Sequence, residues 1–199
     1  MSLRTSYSLI APFYDLAIDR FSRELRRRSL QRLGTVEGQS ILVTGIGTGL
    51  DIPYLPQGAS YTGIDLTPAM LKRAQRLVGP EQDISLETGD AMQLPYEDEH
   101  FDAIVMHLIL AVVPEPRRAL SEAARVLKPG GRVLILDKFL RRGELALGRR
   151  LINPLISRLA TRTDVVFEDV LKAAPGLRIR SDEAAAAGGW FRHIELDKA

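Results

Sequence analysis

Ile41-Leu42-Val43-Thr44-Gly45-Ile46-Gly47-Thr48-Gly49-Leu50 is the stretch whose reading decides the fold. An apolar, β-branched run of this kind reads as a strand buried on both faces, the usual setting of a parallel sheet. It stops at three glycines in alternate positions. Glycine has no Cβ, so the backbone turns sharply there and a ligand approaches it closely. The stretch predicts a strand that delivers its carboxyl end to a ligand.

Working outward, residues 60–65, 83–87, 101–107 and 132–136 read as further strands, and residues 101–107 are almost wholly apolar, as a central strand should be. A short helix is expected after the glycines, with Pro53 in its first turns. Thr67 is placed to cap a helix with Pro68 at its first position. Pro116 starts another helix, which Lys128-Pro129-Gly130-Gly131 stops and turns. Residues 5–33 read as an N-terminal helical cover, with Ile18, Phe21, Leu25 and Leu33 near one face. Residues 144–160 read as a helix interrupted near Pro154, and residues 169–174 as a helical turn. Two last strands, 178–183 and 191–196, are joined across Ala187-Gly188-Gly189. Strand and helix alternate through residues 40–140, which predicts an α/β fold with a doubly wound, mostly parallel sheet. The closing hairpin adds an antiparallel strand.

The chain has 199 residues, enough for one domain with a good core, and its 45% hydrophobic and 26% charged residues are ordinary for a globular protein. With no cysteine, disulfides, thiolate catalysis and Cys-based metal sites are excluded, and a reducing cytoplasm fits. The net charge of +2 is unevenly placed. Arg20, Arg23, Arg26, Arg27, Arg28 and Arg32 crowd one segment; Lys138, Arg141, Arg142, Arg149, Arg150, Arg158 and Arg162 crowd another. Such clusters suit an anionic membrane surface or a phosphorylated substrate, or are simply solvated helix faces. No apolar run reaches the ~18 residues of a membrane span, and no signal peptide is apparent. Localisation is expected to be cytoplasmic, with peripheral membrane association open.

Ligands of open α/β sheets sit outside the carboxyl ends of the strands, at the topological switch point. Four strand ends carry informative residues: the glycine loop, Asp65, Asp90 and His107. A carboxylate at Asp65 can accept hydrogen bonds from both hydroxyls of a ribose. The glycine spacing is G-x-G-x-G, with Leu50 where the dinucleotide fingerprint has its third glycine, and no phosphate-cradling P-loop occurs.

The motifs Gly45-Ile46-Gly47-Thr48-Gly49, Gly63-Ile64-Asp65 before Met70-Leu71, Gly89-Asp90 before Leu94-Pro95, Phe101-Asp102 and Leu127-Lys128-Pro129-Gly130-Gly131 follow one another at family spacing. In that order they resemble class I S-adenosylmethionine-dependent methyltransferases over residues 36–140. Tyr14-Asp15, Gly49-Leu50-Asp51-Ile52-Pro53-Tyr54 and Val112-Val113-Pro114-Glu115-Pro116 look most like bacterial phosphatidylethanolamine N-methyltransferases, with the quinone-biosynthesis methyltransferases close by. The resemblance implies a Rossmann-like, seven-stranded sheet in one domain, 1–199. Residues 1–35 would be a helical cap, 36–140 the cofactor-binding core, and 141–199 a lid helix with the C-terminal strands. It implies S-adenosyl-L-methionine as cofactor and a small-molecule or lipid acceptor, with nucleic acid not indicated. Gly45, Gly47 and Gly49 would admit the methionine part and ribose. Asp65, with Leu66 beside it, would hold the ribose hydroxyls. Asp90 and Ala91 would meet the adenine, and Met70 and Met92 would line its pocket. Independently of the resemblance, Tyr7 and Tyr14 are placed at the start of the N-terminal cover to close over a pocket and meet the acceptor.

One residue departs from the pattern. The family usually places Asp or Glu two residues before the first glycine, where it helps bind the cofactor's ammonium group. Val43 stands there, so weakened cofactor affinity is expected unless the Gly45 carbonyl or Asp51 compensates. His107 ends its strand as either a base facing cofactor and acceptor or a hydrogen-bonded core histidine. His100 and His193 read as solvated and structural. Residues 139–162, including Phe139 and Leu140, read as an apolar face edged by arginine, which suits a lid, an interfacial helix or a packed edge. A cofactor-binding but inactive module and an NAD-type oxidoreductase stand as alternatives.

Overall fold

The computed structural model describes residues 22–140 and 165–199. The first helix, α1, covers residues 22–31 of that range. Seven strands follow: β1 (Ser40–Thr44), β2 (Ser60–Asp65), β3 (Ile84–Thr88), β4 (Phe101–His107), β5 (Leu127–Lys138), β6 (Leu177–Ala186) and β7 (Phe191–Lys198). Between them lie α2 (Pro68–Ala74), α3 (Pro116–Val126) and α4 (Phe167–Leu171).

The seven strands form one sheet in the order β3-β2-β1-β4-β5-β7-β6. β1 pairs in parallel with both β2 and β4, while β7 runs antiparallel between β5 and β6. The chain winds outward from β1 through β2 to β3, then returns to β4 on the opposite side of β1. That reversal makes the carboxyl end of β1 the switch point, so the glycine loop opens where a ligand crevice belongs.

Two apolar cores cover the two faces, as a parallel sheet requires. Ile41 and Val43 of β1 point into a core with Leu30 and Leu33 from the first helical segment and Leu71 and Ala74 of α2. Leu42 points the other way, into a core with Leu120, Ala123 and Val126 of α3 and Phe167 and Val170 of α4. α3 buries Ala119, Leu120, Ala123 and Val126, the one-sided spacing of a surface helix.

Several expectations shift. The short helix after the glycines is a single 3-10 turn at Ile52–Tyr54, because Pro53 and the extended Leu55 leave no room for further turns. Thr67 makes no side-chain cap; the Asp65 carboxylate accepts its N–H instead, at 2.8 Å. β5 begins at Leu127, before the Lys-Pro-Gly-Gly turn, which is accommodated as a register shift against β4. Phe139 and Leu140 are core residues, each 1% exposed, with Phe139 tilted against Phe167 at 5.1 Å between ring centroids. The remainder of the expected lid helix, with Tyr7 and Tyr14, lies outside the described residues.

Candidate active site

The glycine loop is held open by backbone geometry that only glycine adopts cheaply. Gly45, Gly47 and Gly49 have φ of 63°, 57° and 87°, in the left-handed region. A Cβ on Gly45 would lie 2.5 Å from Cδ1 of Ile109, and one on Gly49 would lie 2.8 Å from the Cα of Ala74. A Cβ on Gly47 would meet nothing closer than the Gly45 carbonyl at 3.8 Å. Gly45 and Gly49 are therefore small so that the loop packs against protein, whereas Gly47 leaves room for a ligand.

Beside Gly47 lies Asp65. Its Oδ2 accepts the Gly47 N–H at 3.0 Å and its Oδ1 accepts the Thr67 N–H at 2.8 Å. Burial raises this carboxyl's pKa, and the hydrogen bonds from Thr67 and Gly47 counter part of that rise. Each oxygen keeps a lone pair for a further donor, so a fixed carboxylate is presented at the end of β2. Asp90 is braced similarly: its Oδ1 accepts the Met92 N–H at 2.8 Å.

These strand ends converge on a cavity of about 280 Å³. Gly45, Gly47, Asp65, Leu66, Met70, Asp90, Ala91, Met92 and His107 all line it. Gly49 does not; its absent side chain serves the contact with α2 instead. Ile109, Val112, Val113 and Pro114, from the segment after β4, add an apolar wall. That segment leaves the strand through Leu108 at φ 56° and is pinned by Asp137, whose Oδ2 accepts the Ala111 N–H at 3.0 Å. Burial pushes the Asp137 carboxyl up to about 6, against hydrogen bonds from Ala111 and Lys138.

His107 is 3% exposed at the end of β4, with both ring nitrogens engaged. Nδ1 lies 2.7 Å from Asp51 Oδ1 and Nε2 lies 2.9 Å from Ser29 Oγ. A carboxylate only accepts, so Nδ1 carries the proton toward Asp51, while Nε2 pairs with the Ser29 hydroxyl. No lone pair of that ring is left for a substrate. Asp51 Oδ2 takes Arg26 Nη1 at 2.7 Å. Burial would raise the Asp51 carboxyl, but the Arg26 charge and then His107 override it and hold it well below the usual carboxylate range. Asp51 thus bonds through both oxygens, is 2% exposed and does not line the cavity, so the structure does not present it to a ligand in place of an acid at Val43. Val43 itself is 1% exposed in the apolar core.

Sequence reasoning missed Arg26, Asp137 and the apolar wall. Arg26 stood among six arginines with nothing to mark it, and only the buried stripe of α1, running through Ser22, Leu25, Arg26, Ser29 and Leu30, shows it facing inward. Asp137 did carry a signal, a lone acid at the end of an apolar strand. His193 is structural, its Nε2 lying 3.0 Å from the Leu25 carbonyl. His100 is exposed beside Phe101.

A doubly wound sheet thus gathers a G-x-G-x-G loop, a braced carboxylate on β2 and a second acid after β3 around one cavity at its switch point. The chain belongs to the class I S-adenosylmethionine-dependent methyltransferases. The methyltransferase domain family matches residues 42–135. A phosphatidylethanolamine N-methyltransferase from Cereibacter sphaeroides is 34% identical over 189 residues, covering 93% of this chain and 92% of that protein. A demethylmenaquinone methyltransferase from Renibacterium salmoninarum is 37% identical over 133 residues, and the match spans 55% of its length. The fold matches a chain from a complex of the Haloferax volcanii Trm112 methyltransferase activator with a methyltransferase (TM-score 0.81, 16% identity, 100% and 99% of the two chains). It also matches a S-adenosylmethionine-dependent methyltransferase from Thermotoga maritima (TM-score 0.73, 20% identity, all of both chains). The oxidoreductase alternative is set aside by this membership. Among the described residues, no helix is long and apolar enough to cross a membrane.

Proposed function

We propose that this enzyme transfers a methyl group from S-adenosyl-L-methionine to a lipid-like acceptor, with the amine of an ethanolamine phospholipid as the first candidate and a quinone precursor as the second. The observation that carries the reading is the cavity at the switch point, where the braced Asp65 carboxylate faces an open Gly47. The preference for a phospholipid amine rests on the relative from Cereibacter sphaeroides, matched over 92% of its length, against 48–72% for the demethylmenaquinone methyltransferases.

When bound, the cofactor supplies a methyl group already activated on a sulfonium. The protein's own task is then largely positioning. Asp65 would fix the ribose through its free lone pairs. Asp90 and the Ala91 N–H would meet the adenine edge, with Met70, Met92 and Leu66 around the ring. Ile109, Val112, Val113 and Pro114 would exclude water on the acceptor side. His107, with both nitrogens engaged, acts in this reading as a positioning residue that ties β4 to α1. An amine acceptor arriving unprotonated attacks without a base at the moment of transfer.

The test is release of S-adenosylhomocysteine from purified enzyme with vesicles containing phosphatidylethanolamine, in parallel with a demethylated menaquinol. Turnover on the phospholipid, lost in Asp65→Ala, supports the reading. Turnover on the quinol alone selects the second acceptor. Cofactor binding without turnover on either would favour an inactive binding module.

A further inference from the structure

The cavity has a cationic corner that no motif of the sequence marks. Arg26 is the only lysine or arginine lining it among the described residues. Its side chain is 9% exposed. Nε donates to Ser22 Oγ at 3.1 Å and Nη1 to Asp51 Oδ2 at 2.7 Å. Nη2 has no hydrogen-bond partner among the described residues. A buried guanidinium held on two sides in a cavity wall, with its third nitrogen unpaired among the described residues, is a built site for an oxyanion.

Two oxyanions have reason to be there. One is the α-carboxylate of the cofactor; the other is the phosphate of a phospholipid acceptor. The anchor decides between them. Asp51 stands two residues after Gly49, so its ion pair ties the guanidinium to the chain that leaves the glycine loop, whose Gly47, Thr48 and Leu50 line the same cavity. That loop is where the amino-acid part of the cofactor lies in the reading above, on which this inference rests.

The opposite end of the same zwitterion has lost its usual partner. Val43 offers no carboxylate to an ammonium, and Asp51 is 2% exposed and outside the cavity lining. We propose that this enzyme grips the amino-acid end of its cofactor through the carboxylate, by Arg26 Nη2, rather than through the ammonium by a side-chain acid. Both contacts are charge-assisted, but the guanidinium–carboxylate contact adds a second full charge at low solvent exposure, which a neutral backbone carbonyl does not offer the ammonium, so affinity should depend on the two charged groups unequally.

The test needs no variant at first. Wild-type enzyme is titrated calorimetrically with S-adenosylhomocysteine, its decarboxylated analogue and its deaminated analogue. Removing the carboxylate should weaken binding by at least about tenfold. Removing the ammonium should weaken it by less than about threefold. Arg26→Gln should abolish the difference between the parent and the decarboxylated analogue, and Arg26→Lys should restore part of it. A deaminated analogue as weak as the decarboxylated one overturns the proposal. So does a decarboxylated analogue that binds like the parent while Arg26→Gln raises only the KM for phospholipid; the oxyanion is then the acceptor's phosphate. Failure of S-adenosylhomocysteine itself to bind overturns the cofactor reading beneath both.

Discussion

Asp51→Asn tests whether the polar cluster beneath the cavity holds α1 onto the sheet. Asp51 accepts from Arg26 at 2.7 Å and from His107 at 2.7 Å, with side-chain exposures of 3% for Asp51, 9% for Arg26 and 0% for His107. At such burial solvent screens little, and removing one partner leaves the other charge buried and uncompensated, at a cost of about 3–5 kcal/mol. Asparagine keeps one acceptor oxygen, so the low end applies, about 3 kcal/mol. For a domain of this size each kcal/mol moves Tm by roughly 2–4 °C, so differential scanning calorimetry at neutral pH should show a fall of roughly 6–12 °C. Acid titration supplies a second reading. The folded pKa of Asp51 lies below its ordinary 3.8, so its stabilisation is complete above about pH 4 and is lost as pH falls through the folded value. The wild type's advantage over Asp51→Asn should therefore begin to shrink below about pH 4. A variant within about 1 kcal/mol of wild type at pH 7, or a gap that does not shrink with acid, would refute the reasoning. Replacing both partners, as Arg26→Met with Asp51→Leu, should recover much of the lost stability, since no orphaned charge remains.

Other perturbations separate the roles of neighbouring residues. Gly49→Ala forces a Cβ against the Ala74 backbone at φ 87° and should cost about 2–4 kcal/mol by chemical denaturation. Gly47→Ala should cost only about 1 kcal/mol of stability yet weaken S-adenosylhomocysteine binding at least about tenfold, because its Cβ enters the cavity. Asp137 has a folded pKa raised to about 6 from 3.8, so it stabilises the fold below about pH 4, an effect lost as pH rises through 6 and amounting to something on the order of 3 kcal/mol. Asp137→Asn should remove that slope from a plot of Tm against pH. Val43→Glu should tighten S-adenosylhomocysteine while lowering Tm, since the new carboxylate starts from a 1% exposed core position; equal or weaker affinity in calorimetry counters the idea that Val43 weakens binding.

Local rules made much of the fold legible. Apolar β-branched runs, proline at the starts of α2 and α3, and alternation of strand with helix depend only on residues near one another in sequence. The glycine loop, Asp65 and Asp90 could be read because each sits at the end of its own strand, and parallel strands bring such ends to one edge. What local pattern misjudged was length and partnership. The 3-10 turn at Ile52–Tyr54 replaced a helix because the chain must return at once toward β2. Phe139 and Leu140 are legible in sequence only as part of a segment suiting a lid, an interfacial helix or a packed edge, and the contacts with Phe167 and Val165 select packing for these two.

The sequence by itself determined that this chain builds a doubly wound sheet with a glycine loop at its switch point, and that acids follow β2 and β3. These facts rest on periodicity and on φ angles that glycine alone adopts cheaply. Tertiary structure decided the electrostatics of the site. Arg26, Ser29, Asp51 and His107 come from three separate segments, and no spacing in the chain announces that they meet. Only their mutual burial turns one arginine among many into a fixed cation, keeps Asp51 out of the cavity lining, and takes up both nitrogens of His107. A charge acquires its chemical role from what surrounds it, and those surroundings are set by the packing of α1 on the sheet.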